Sequence, residues 1–169
     1  NWETQPSMGS DGRTLYFIRG TQARDGIKTM DIYTTVLQDN GTWGNPEPLG
    51  PTVHTPYQEE SVQIHPDGNT LYFSSNGHPG FGGLDIYVSR RQEDGSWGQA
   101  LNLGYPINTG DDENSLLVSA SGEVAYFASD RPGGLGDLDL YGFELYPEAR
   151  PLAVSFIRGK VTDKLTGKP

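Results

Sequence analysis

Asp111, Asp112 and Glu113 run consecutively, and three carboxylates together could offer the oxygen ligands that Ca²⁺ takes. Their spacing is not the alternating one of an EF-hand loop, which favours a solvated acidic loop. His54 and His78 suit a transition metal, but two histidines without a third ligand do not make a centre. The stretch NGHPGFGG (76–83) has the glycine content of a phosphate loop. The next residues, LDIYVSRR, alternate like a strand, so no helix N-terminus is there to hold an anion. The glycines of the loop are then expected to serve turn conformation. Phe81 stands on that loop either as an exposed anchor or as a side chain tucked between blades, and Arg131 could reach a partner's carboxylate or, more simply, pair with Asp130. Neither a G-x-S-x-G elbow nor an H-E-x-x-H pair occurs, and no asymmetric Ser-His-Asp set stands out. The expectation is therefore no enzyme, with no catalytic residue, no metal and no cofactor.

The elements that would carry these residues are set by an internal repeat. Tyr16-Phe17 returns as Tyr72-Phe73 and Tyr126-Phe127, while MDIY (30–33) returns as LDIY (84–87) and LDLY (138–141), with Asp31, Asp85 and Asp139 each 54 residues apart. GTWGNPEPLG (41–50) recurs as GSWGQALNLG (95–104), and Glu3, Glu59 and Glu113 precede the three units in register. Apolar residues within each unit alternate with period two, which predicts strands. Asp67-Gly68 and Asp94-Gly95 fall where tight hairpin turns belong. Four antiparallel strands in about 54 residues describe one blade of a β-propeller. Blades are expected near 1–56, 57–110 and 111–147. Three blades do not close a ring, since propellers have about 4–8. Further blades outside this chain are expected, with self-association the alternative. The third unit lacks the Trp-Gly segment, and IRGKVTDKLTGKP (157–169) begins a different pattern after the linker from 148.

Composition agrees with a folded, turn-rich chain. Glycine accounts for 23 of 169 residues, and 12 Lys+Arg against 22 Asp+Glu leave a net charge of −10. That balance argues against nucleic acid or an anionic membrane surface as partner. There is no cysteine, hence no disulfide or thiolate metal site. No apolar run reaches the roughly 18 residues of a membrane helix, so direct membrane insertion is not expected. The chain opens NWETQPSMGSDG, which suggests a processed product or a piece of something longer.

The segments PDGNTLYFSSNGHPGFGGLDIY and INTGDDENSLLVSASGEVAYFASDRPGGLGDLDLY resemble the TolB-type, WD-repeat-like propeller units of Bacteroidetes OmpA-family proteins. The shared pattern is N-T-x-x-x-E, then D-G-x-x-L-Y-F-x-S-[ND], a glycine-rich loop and D-[IL]-Y. The first unit departs from it in its loop, GTQARDGIKTM. The 157–169 stretch resembles the opening strand and turn of a carboxypeptidase-regulatory-like, immunoglobulin-like β-sandwich. The resemblance implies an all-β scaffold in the periplasm, associated with the outer membrane. It also implies a protein partner in the cell envelope, peptidoglycan bound through a domain outside this chain, and kinship with type IX secretion components.

Strand order places the short a–b and c–d turns at one end of each blade and the long b–c and d–a loops at the other. Long loops on a rigid scaffold are where binding residues concentrate. The candidate partner face therefore comprises His54, Tyr57, His78, Phe81, Asp111, Asp112, Glu113 and Arg131. Glu113 also belongs to the repeated set, which by itself argues for a blade-building role. The alternative reading is a carbohydrate- or peptide-binding propeller, with Tyr57, Tyr105 and Trp side chains as stacking surfaces.

Overall fold

The computed structural model describes residues 2–22, 28–157, 159–160, 162–166 and 168. Among the described residues eleven strands form three antiparallel sheets. The first contains β1 (Trp2–Met8), β2 (Thr14–Gln22), β3 (Lys28–Val36) and β4 (Glu47–Pro48), in that spatial order. The second repeats it with β5 (Glu59–Ile64), β6 (Thr70–Ser75), β7 (Asp85–Arg90) and β8 (Leu101–Asn102). The third has β9 (Glu113–Val118), β10 (Val124–Ser129) and β11 (Asp139–Glu144). Here the structure corrects the expectation of three four-stranded units: among the described residues the third sheet has three strands. The cause is local. Where the first two units turn through Asn40-Gly41 and Asp94-Gly95 into a fourth strand, the third runs into a 3-10 turn at Pro147–Ala149.

The turns explain why the sequence repeats as it does. Asp67 accepts the amides of Asn69 and Thr70 and the Thr70 hydroxyl, and Asp11 does the same for Arg13 and Thr14. The adjacent glycines, Gly12 and Gly68, have φ of 65° and 71°, a region that glycine enters without penalty.

Alternation then divides each sheet into two apolar faces. Leu71, Phe73 and Tyr87 look toward the first sheet and meet Tyr16, Ile18 and Ile32, while Trp97 closes that layer. Tyr72, Ile86 and Val88 look toward the third sheet and meet Leu116, Ala125 and Phe127. Strands β1, β5 and β9 lie side by side at the inner edge. Side chains stitch them together: Ile64 N–H donates to Ser7 Oγ, and Gln63 exchanges two hydrogen bonds with the Val118 backbone. Sheets stacked face to face with their first strands adjacent are propeller blades.

The strand expected within 157–169 falls partly on residues 158, 161, 167 and 169, which lie outside the described residues. The described residues of that segment form a turn at 164–166 and no strand. The first unit's divergent loop, 20–30, likewise includes residues 23–27, outside the described set.

Candidate functional site

The long loops of the second and third sheets form one continuous layer, because residues from both classes of loop touch. The 76–84 loop reaches back to the 51–58 loop, where Gln58 and Asn76 exchange two hydrogen bonds. It reaches forward to the 105–112 loop, where Leu84 N–H donates to Asp112 Oδ1 at 2.7 Å. Its glycines are explained by these approaches. A Cβ on Gly77 would overlap Thr55 Oγ1, on Gly80 Asp85 Oδ2, on Gly82 the Gly110 carbonyl and on Gly83 Asp112 Oδ1. None of the four is among the glycines with positive φ. Close contact, not turn conformation, is what demands them, which corrects the sequence expectation. Replacing Gly80 with Ala is expected to displace the Asp85 carboxylate and cost about 1–3 kcal/mol. A urea midpoint unchanged from the parent chain would contradict this.

Asp85 holds the loop from within. It is buried, accepts the Phe81 amide at 2.5 Å on Oδ2, and touches Asn102 Nδ2 at 3.3 Å. Burial raises its pKa, against those hydrogen bonds. Asp139 does the same for the third sheet, accepting Leu135 and Gly136 N–H. An internal carboxylate thus already takes the amides a phosphate would need.

A second repeated device lies beneath the loops. Phe73 stacks on Tyr87 at 5.7 Å, Phe127 on Tyr141 at 5.6 Å and Phe17 on Tyr33 at 6.2 Å. Each pair carries a nitrogen-bearing side chain. The Arg19 guanidinium lies 4.8 Å from the Tyr33 centroid, and that of Arg131 is 4.8 Å and 4.9 Å from Phe127 and Tyr141. In the second sheet His78 takes the place, 5.2 Å from Tyr87. The arginines also pair with the repeated glutamates: Arg19 with Glu3 at 3.1 Å and Arg131 with Glu113 at 3.1 Å. Arg131 thus pairs with Glu113, and not with Asp130 as expected from the sequence. The Asp130 carboxylate accepts the Asp112 amide instead. Glu59, fully buried, receives the Thr55 and Ser75 hydroxyls, and among the described residues no cation pairs with it. Burial pushes its pKa up to about 7, and the Asp31 charge adds to the rise.

Five of the eight face residues therefore work inside the protein. His54 Nε2–H donates to Ile32 O at 2.7 Å, and His78 Nε2–H donates to Val53 O at 2.8 Å. Asp112 and Glu113 hold backbone and hydroxyl donors. Arg131 donates to the Pro106 and Ile107 carbonyls as well as to Glu113. Asp111 is half-buried, its amide bonded to Thr109 Oγ1. Tyr57 and Phe81 are left on the surface, 61% and 58% exposed. The stacked Arg–aromatic–Glu unit escapes the repeat search because Arg19, His78 and Arg131 come after their phenylalanines by two, five and four residues.

No known family profile matches this chain, and no curated protein matches it. Among solved structures it is similar to TolB from Acinetobacter baumannii, with a TM-score of 0.58 and 17% identity over 87% of this chain and 31% of that one. It is also similar to the periplasmic gluconolactonase of Pseudomonas aeruginosa, with a TM-score of 0.52 and 16% identity over 88% of this chain and 41% of that one. The chain thus spans about a third of the first and two-fifths of the second. At these identities the likeness shows the fold, a TolB-like β-propeller. The expectation that the chain is no enzyme is overturned by the second comparison. It rested on absent motifs, yet a gluconolactonase has this fold, and function resides in sites that a fold does not dictate.

Proposed function

We propose that the chain is a protein-interaction module of the bacterial cell envelope, working in the periplasm. The observation that carries this is the long-loop layer. Many of its polar groups bond one another across the loops, which fixes the loops to each other, while Tyr57 and Phe81 project from them. Exposed aromatics on a preorganised surface are what binding hot spots are made of. Asp111, whose backbone carbonyl lies against Gly82, adds a negative charge next to the Phe81 loop. His54, His78, Asp112, Glu113 and Arg131 position the loops that present the aromatics.

The periplasmic assignment is supported by the likeness to a periplasmic gluconolactonase. Among the described residues no helix is long and apolar enough to cross a membrane. On this reading, residues 1–147 are part of a larger propeller and 148–169 lead into a regulatory-like domain. The parent protein is of the OmpA-related kind, associated with the outer membrane. It joins an envelope or type IX secretion complex to peptidoglycan through a domain outside this chain.

The double substitution Tyr57→Ala/Phe81→Ala tests this. Both side chains are on the surface, so stability is expected to hold within about 0.5 kcal/mol. Proteins that co-purify from solubilised envelopes with the parent chain are expected to be lost. Undiminished co-purification, or saturable muropeptide binding that the substitutions abolish, would replace the reading.

A further inference from the structure

We infer that the groove between the first and second sheets, at the short-turn end, binds a short peptide of the pattern apolar-acidic-proline-apolar. The site shares no residue with the long-loop face and does not rest on the reading given to that face. The chain itself shows how such a groove is filled. Between the second and third sheets the equivalent groove holds the chain's own residues 149–152. Tyr72 Oη–H donates to Ala149 O at 2.6 Å, and Leu152 N–H donates to Asp67 Oδ2 at 3.0 Å. Pro151 lies against Gly122, where an added Cβ would come within 2.9 Å of its ring. A hydroxyl, a carboxylate and a bare glycine thus hold an Ala-Arg-Pro-Leu segment, extended at Arg150.

The repeat puts the same three groups on the groove between the first and second sheets. Tyr16, Asp11 and Gly68 correspond to Tyr72, Asp67 and Gly122. All three border a space of about 270 Å³, together with Thr14, Asn69 and Arg91. The remaining border, Gly9, Ser10 and Ile64, is uncharged. Tyr16 is buried, and among the described residues its hydroxyl makes no hydrogen bond. Asp11 Oδ2 accepts the Thr14 hydroxyl, and among the described residues no amide takes the place that Leu152 N–H has on Asp67. Gly68 has φ of 71° against 77° at Gly122, and nothing lies within 4 Å of an added Cβ on it. The groups that bind the chain's own segment in one groove are therefore open in the other.

Two positions differ between the grooves, and they define the ligand. Arg150 Nε–H donates to Leu145 O, which places that side chain beside Leu145. The counterpart of Leu145 is Arg91, since their amides donate to Glu123 O and Asn69 O. The Arg91 guanidinium bonds Gly95 O and lies 6.0 Å from the Trp97 centroid, and its remaining N–H groups suit a carboxylate. A ligand therefore carries an acid where the chain's own segment has Arg150. Arg90, which donates to Arg150 O at 2.8 Å, has Val36 as its counterpart on β3. The ligand is thus held by fewer bonds than the chain's own segment. The volume lies just below the roughly 300–1,000 Å³ of small-ligand sites, which suits a few residues and not a folded partner. Both walls belong to this chain, and a further blade would stack on the outer face of a sheet, not between these two.

The test titrates a labelled synthetic hexapeptide, Glu-Ala-Glu-Pro-Leu-Ala, into the full protein. Saturable binding is expected, and weaker binding when the third residue is arginine or the fourth is alanine. Tyr16→Phe is expected to weaken binding about fivefold, the worth of one hydrogen bond. Arg91→Glu is expected to reverse the preference, so that the arginine peptide binds better than the glutamate one. The same affinity in the parent and Tyr16→Phe proteins, or an unchanged peptide preference in Arg91→Glu, would overturn the inference. So would the absence of binding to both the full protein and the 169-residue chain. Binding to the 169-residue chain but not to the full protein would overturn it in favour of a segment of the protein itself as the occupant.

Discussion

An Arg131→Met chain is expected to lose about 3–5 kcal/mol of folding stability, the penalty for leaving a buried charge without its partner. Glu113 has no exposed surface, and the Arg131 side chain is 18% exposed. Removing the guanidinium also strips two backbone carbonyls of their donor and uncovers the Phe127–Tyr141 stack. A small domain has about 5–15 kcal/mol in total, so the loss is a large share of it. The double variant Glu113→Gln/Arg131→Met is expected to recover much of the deficit, since the stranded charge is gone. Arg19→Met is the contrast. Its partner Glu3 is half-exposed, and an exposed pair contributes about 0–1 kcal/mol. Urea midpoints for the three variants decide the matter, and an Arg131→Met loss under about 1 kcal/mol would show that Glu113 is not held by this pair.

The second large effect is a pH dependence centred on Glu59 of the second sheet. The folded pKa of Glu59 is raised from 4.5 to about 7, so folding favours the protonated acid. Its stabilising contribution is complete below about pH 4.5 and is lost as pH rises through 7. At about 1.4 kcal/mol per pKa unit, the loss is on the order of 3 kcal/mol. The groups around it are Asp31, which raises the pKa further, and His54, whose Nδ1 is 3.8 Å from Asp31 Oδ1. His78 covers the neighbouring aromatic pair. Glu59→Gln mimics the protonated acid and is expected to flatten the profile between pH 5 and 8. Equal slopes for both chains, read from urea midpoints across that range, would assign the dependence to the other carboxylates that burial raises, Asp31, Glu60 and Asp85.

The blade architecture was legible because its causes are local and repeated. Asp-Gly turns, period-two alternation and the Tyr-Phe pair recur at almost constant spacing, and each acts within a few residues of itself. That the described residues of the third unit hold three strands had a visible signal in the absent Trp-Gly segment, yet the regular repeat still led to an expectation of four. The site was less legible. Arg131 and Glu113 are 18 residues apart, and their meeting depends on how two loops pack. The 76–83 glycines read as turn formers because sequence does not reveal that Thr55, Asp85, Gly110 and Asp112 crowd them. Tyr57 and Phe81 were part of the expected face. That the histidines and Asp112 turn inward while these two point out is a consequence of tertiary hydrogen bonds.

The most direct test of the interaction surface is site-specific photo-crosslinking in cells that carry the full protein. A crosslinking amino acid is placed at Tyr57, at Phe81, and at Asn40 and Asp94 on the short-turn end. The account predicts discrete adducts with envelope proteins from Tyr57 and Phe81 and none from Asn40 or Asp94. Adducts from both ends alike, or none from the long-loop positions, would contradict it.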